Sequence, residues 1–171
     1  LLISLFTSTI FGQGLTLDWV KSTTGTSSVT YGGMTNDAVG NIYLCGEFFG
    51  TVDFDPGTTT FNLIDAGSGD IFIQKLDTNG NFVWVKQMGG TREDYGGSIA
   101  LDATGNVYTT GSFWGTVDFN SGTGVQNLSS NGMNDIFIQK LDENGSFLWV
   151  KQMGGVNYDY GTSIIVDASG N

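Results

Sequence analysis

The chain has 171 residues, enough for one ordinary core, and its 27 Gly, single Pro and aromatic fraction of 13% fit short strands joined by tight turns rather than helices. Its 17 acidic and 6 basic residues give a net charge of -11, a field that repels phosphate backbones and anionic lipid surfaces and so speaks against nucleic acid as a partner. It has no His and only one cysteine, Cys45, which removes His-based triads, His zinc sites and an internal disulfide framework.

The chain opens on Leu1 to Gly14, LLISLFTSTIFGQG, an apolar run with small residues at its end. This is the pattern of the h-region and cleavage region of a secretory signal peptide, here lacking its basic start. It is too short for a membrane span, which needs roughly 20 apolar residues. The alternative for this stretch is a buried first strand. An exported chain also accounts for the acidity as a solubility device, with cation binding as the other reading.

From Leu15 the sequence becomes periodic. LTLDWVK at Leu15 to Lys21 matches FVWVK at Phe82 to Lys86 and FLWVK at Phe147 to Lys151, and Trp19, Trp84 and Trp149 are each 65 residues apart. Asn41, Asn106 and Asn171 repeat the same interval, and 40 of the 65 positions of 41–105 are identical in 106–170. A fixed period of this size means a repeat architecture in which each unit buries its faces against its neighbours. The expected division is a truncated signal over 1–14, the last strand of one blade and the first strand of the next over 15–40, unit one over 41–105, unit two over 106–170, and a further unit opening at Asn171. Entering on a last strand is what a closed propeller does when both termini complete one blade.

Within a unit, Asp102-Ala-Thr-Gly-Asn106 and Asp77-Thr-Asn-Gly-Asn81 each place Asp first and Gly near the end, the signature of a short hairpin loop. They bound four predicted strands, Ser98 to Asp102, Val107 to Phe113, Ile136 to Asp142 and Phe147 to Gln152. The earlier copies of the last two are Ile71 to Asp77 and Phe82 to Gln87. Ile71, Phe72 and Ile73 in succession leave no polar face, as expected of a strand covered on both sides. Cys45, at the position of Thr110, reads as a small buried hydrophobe in the second strand. Between the second and third strands the segments GTVDFDPGTTTFNLI from Gly50 and GTVDFNSGTGVQNLS from Gly115 form an added hairpin. A common blade takes about 40 to 45 residues, so an insertion of about 20 explains the period.

The combination of DYGGSIALDATGNVYTTGSF, GTVDF and DIFIQKLDTNGNFVWVKQMGG resembles the SBBP family of β-propeller repeats. The resemblance implies an all-β fold of four-stranded antiparallel blades with an inserted hairpin. It also implies a bacterial protein, secreted or at the cell surface, with further propeller blades and a type IX sorting domain in the same full-length chain. A ring of 4 to 8 such blades needs on the order of 260 to 520 residues, so the expectation is an incomplete, open propeller fragment. The shared motifs are strand and turn residues, which carry no catalytic group. The first copy departs from the pattern at Thr24 to Tyr31.

Antiparallel blades put the two short Asp turns at one end, and the inserted hairpin with the loop MGGTREDYGG at the other. Long variable loops on a rigid rim are where binding sits. The candidates there are Arg92, Glu93, Asp94 and Tyr95, their counterparts Asn157, Tyr158, Asp159 and Tyr160, and the equivalent pair Phe49 and Trp114. Carboxylates among aromatics can hold a sugar by stacking and hydrogen bonds, or Ca²⁺ through oxygen. The recurring Asp and Tyr fit a structural role better, capping the inter-blade turn, which leaves Arg92, Glu93, Asn157 and Tyr158 as the better specificity candidates, and Phe49 and Trp114 fit packing of the hairpin. Asp53, Asp55 and Asp118 are a weaker calcium pattern, lacking the distal Glu of an EF-hand loop. No cofactor motif is present: there is no GxSxG, P-loop, GxGxxG or CxxC. The reading is a non-catalytic binding or scaffold module for a carbohydrate or a surface protein, without a membrane span. The alternatives are a carbohydrate-active enzyme pairing Glu93, Asp94 and Asp159, and a plain spacer.

Overall fold

The computed structural model describes residues 3–4, 19–25, 28–167 and 170. The leader segment and Asn171 lie outside them, apart from the backbone of Ile3–Ser4 (β1), which pairs with Val20–Lys21 (β2). Among the described residues the regular structure is all strand, and no helix is long and apolar enough to cross a membrane. The remaining strands are Thr24–Gly25 (β3), Val29–Asn36 (β4), Ile42–Phe48 (β5), Thr51–Asp53 (β6), Asn62–Ile64 (β7), Asp70–Leu76 (β8), Phe82–Met88 (β9), Tyr95–Leu101 (β10), Val107–Asp118 (β11), Asn127–Leu141 (β12) and Phe147–Met153 (β13).

Each Asp turn is built by its own side chain. Asp102 Oδ1 accepts the backbone N–H groups of Thr104 and Asn106, both at 3.0 Å, while Gly105 takes a φ of +84° that a side chain would resist. Asp37, Asp77 and Asp142 repeat the device. The turns join antiparallel meanders in the order β4-β5-β8-β9 and β10-β11-β12-β13, which are two four-stranded blades. The chemistry of the loop therefore fixes which ends of the strands become which rim.

The first strand of each blade crosses its neighbour closely. A methyl added at Gly111 would fall 1.9 Å from the Tyr95 carbonyl oxygen, and one at Gly46 would fall 2.0 Å from that of Thr30. Only Gly fits there. Opposite these glycines the two copies differ, because Tyr31 faces Gly46 where Gly96 faces Gly111. The YGG run of the first copy thus sits one residue out of step, and the Tyr31 ring turns edge-on to Phe72 at 5.5 Å. This slip is the structural content of the departure at Thr24 to Tyr31.

The inserted hairpins form as expected and also extend the blades. In the second unit β11 and β12 run straight on, with Thr116–Asp118 paired to Asn127–Ser129. In the first, β6 and β7 make a separate ribbon that β3 joins through Thr24 opposite Asp53. Each GTVDF segment then folds over one face of its own blade. Phe54 packs on Phe48 and Phe72, and Phe119 on Phe113 and Phe137, with ring centroids 4.9 to 5.3 Å apart. The buried amide of Gln74 donates to the Phe54 carbonyl at 2.6 Å, and that of Gln139 to the Phe119 carbonyl at 2.7 Å. That bond ties the IQK motif to the GTVDF motif.

Blade stacking follows. Tyr43, Cys45, Ile71, Ile73 and Met88 of the first blade share one buried cluster with Phe113, Val117, Phe119 and Phe137 of the second. Burying one such side chain contributes about 1.5 to 3 kcal/mol. The three residues Ile71, Phe72 and Ile73 are fully buried, because β8 is covered on both faces. Trp84 lies against the turn at Gly145 as Trp19 lies against the turn at Gly80, so the segment before the first blade leans on it as the first blade leans on the second.

Candidate functional site

The rim that carries the hairpins is assembled around Asp94. Its side chain is 0% exposed. One carboxylate oxygen accepts the Gly90 N–H at 2.9 Å and the other the Trp114 N–H at 3.0 Å, while its own backbone N–H donates to the Gly69 carbonyl at 3.1 Å. Asp94 thus pins the inter-blade loop to the hairpin bases of both blades. Burial pushes its carboxyl up to about 7; the two N–H donors work against this, and the nearby Asp70 and Glu93 add to it. Asp159 repeats the geometry, accepting the Gly155 N–H at 2.8 Å and donating to the Asn134 carbonyl at 2.8 Å. The recurring aspartates cap the inter-blade turns, the structural role that their recurrence suggested.

Their variable neighbours do face solvent. The Arg92 guanidinium lies 4.3 Å from the centre of the Trp114 ring, a cation–π pair that joins two of the candidates across consecutive segments. Glu93 is exposed, and Glu47 beside it is held above the usual carboxylate range by burial first and by the Glu93 charge second. Tyr95 is half-buried, and burial raises its hydroxyl pKa. Tyr158 and Tyr160, 53% and 56% exposed, stack with centroids 6.1 Å apart and planes 3° from parallel, and Asn157 is exposed next to them. Phe49 behaves differently from its counterpart Trp114: its ring packs directly over Gly69.

The hairpin aspartates are committed to their own loops. Asp53 Oδ1 accepts the N–H groups of Asp55 and Phe61 at 3.0 and 2.8 Å, and Asp118 Oδ1 those of Asn120 and Gln126 at 2.9 and 2.8 Å. Asp55 binds the Gly57 N–H and the Thr59 hydroxyl. Among the described residues no three His, Cys, Asp or Glu side chains converge as a metal-binding group.

Comparison with known proteins meets this geometry at the motifs that build it. Residues 83–120, spanning the outer strand of the first blade to the GTVDF segment of the second, match the model of the SBBP β-propeller repeat. That segment carries an SBBP-type β-propeller repeat, and its motifs recur at the 65-residue period. It is 26% identical over 141 residues to an uncharacterized WD repeat-containing protein of Acanthamoeba polyphaga mimivirus, a match covering 68% of this chain and 10% of that protein. It is also 26% identical over 134 residues to the regulatory protein FlaEY of Caulobacter vibrioides, covering 78% of this chain and 14% of the relative. The chain therefore spans only a small part of the length of these curated relatives.

Between the hairpins of the two consecutive blades lies a feature that no single motif reveals. A cleft of about 530 Å³ is walled by Phe61 and Leu63 of the first hairpin and by Asn120 and Ser121 of the second, with Lys86 and Gln87 of β9 along its floor. The signal for it was present in the divergence of the two copies after GTVDF. What the sequence did not show is that successive hairpins stand side by side.

Proposed function

We propose that the chain is a non-catalytic binding or scaffold module of an exported bacterial protein, with its hairpin rim turned toward a carbohydrate or a surface protein. The observation that carries this reading is the Arg92–Trp114 pair, an exposed cation held over an aromatic ring on the variable loop of a rigid blade. The apolar stretch Leu1 to Gly14 and the SBBP repeat support export, and further blades with a sorting domain belong to the same proposal. The enzyme alternative would place chemistry on Asp94 and Asp159, whose use as backbone caps weighs against it. Neither relative is named for a reaction.

The test is retention of the folded chain on arrays of bacterial surface glycans and surface proteins, with Arg92→Ala and Trp114→Ala compared in parallel. Loss of a saturable hit in both variants, at unchanged circular dichroism, is the expected result. Hits that both variants retain at full strength would move binding away from this loop, and the absence of any saturable hit would favour a spacer.

A further inference from the structure

Resting on the binding-module reading, we propose that the cleft between consecutive hairpins is a subsite for a neutral saccharide, rebuilt at every blade junction with a constant floor and blade-specific walls. The floor residues Asp70, Lys86 and Gln87 recur as Asp135, Lys151 and Gln152, whereas the wall residues Phe61 and Asn120 correspond to Gln126 and Asp55. The floor is fixed by structure: the Gln87 amide donates to the Asp70 carboxylate at 2.6 Å and to the Ile64 carbonyl at 2.7 Å, which sets the first hairpin's position against the outer strand. Gln152 makes the same two bonds, to Asp135 and to the Ser129 carbonyl. The same scaffold thus presents different groups at each junction.

The chemistry of this junction suits a sugar. Phe61 is 42% exposed and its ring stacks on Phe82 at 4.9 Å with planes 30° apart, so one aromatic face is held in place for the C–H side of a pyranose. Asn120 and Ser121 line the same space with an amide and a hydroxyl, groups that hydrogen-bond ring hydroxyls. Asp70 and Asp118 border the cleft within a chain of net charge -11, which disfavours an anionic ligand, and the aromatic face beside a neutral amide and hydroxyl suits a neutral saccharide. A volume of about 530 Å³ lies within the range of small-molecule sites.

The experiment screens the whole chain against neutral oligosaccharides and titrates the best hit calorimetrically into wild type, Phe61→Ala, Asn120→Ala and the hairpin control Val125→Ala, which is 73% exposed and outside the cleft. The expected result is an affinity loss on the order of 10-fold or more for Phe61→Ala and a smaller loss for Asn120→Ala, with Val125→Ala unchanged. A hit that Phe61→Ala and Asn120→Ala both bind like wild type would overturn the assignment while leaving a binding module in place. A chain that binds a surface protein but no neutral saccharide would overturn the ligand class alone. A chain that binds nothing would sink both readings.

Discussion

At the scale of single residues, Asp94 shows how a recurring polar side chain serves the fold. Its carboxyl sits near 7 in the folded chain against an ordinary value of 3.8, because burial outweighs its two N–H donors. A raised carboxyl pKa means that the folded state holds the proton more tightly. The stability it contributes is complete below about pH 4 and lost as pH rises toward 7. The turn aspartates work in the opposite sense: burial would raise Asp102, but the Asn106 and Thr104 hydrogen bonds prevail and hold it below the usual range, so its contribution is lost on acidification. Urea unfolding of wild type and Asp94→Asn between pH 4 and 8 should show the wild type losing stability relative to the variant across this window. A pH-independent difference would reject the assignment. The sequence displayed the recurrence of Asp94 and Asp159 but not the burial of Asp94, since the Trp114 N–H that Asp94 binds is 20 residues away and reaches it only once the blades stack.

At the scale of elements, the inserted hairpin is the inter-blade wedge. Phe119 reaches back over β12 and enters the cluster shared with the first blade, while Val125 at the hairpin loop stays in solvent. Phe119→Ala should therefore cost about 3 to 5 kcal/mol in denaturant unfolding, and Val125→Ala no more than about 0.5 kcal/mol. Equal costs would mean that the hairpin is an appendage. The strands themselves were legible, because Asp, Gly and Asn spacing marked the turns and the IFI run marked a strand covered twice. The direction in which GTVDF folds was not, because the Gln139 amide that holds the Phe119 carbonyl comes from the third strand, 20 positions later.

At the scale of the whole molecule, the 65-residue period translates into one blade-to-blade contact repeated along the chain. The same register that buries Met88 to 1% leaves its counterpart Met153 49% exposed on the outer face of the second blade. The period was readable from three tryptophans and three asparagines. The slip at Tyr31 was legible as a 64-residue spacing of the two YGG runs against the 65-residue period, while the strand register is the same in both blades. Divergence after GTVDF marked the hairpin loops in the sequence, but no motif records that two loops 65 residues apart share a wall. Cys45 tests the stacking most directly. It is the only cysteine, it lies in the shared cluster at 0% exposure, and its thiol contacts the Gly96 carbonyl of the second blade at 3.7 Å. Burial also pushes that thiol up to about 12. Maleimide labelling of the native chain at neutral pH should be more than about 100-fold slower than in the denatured chain, with Phe119→Ala recovering part of the rate. Labelling at the denatured rate in a chain that keeps its β-sheet circular dichroism would contradict the stacked-blade account.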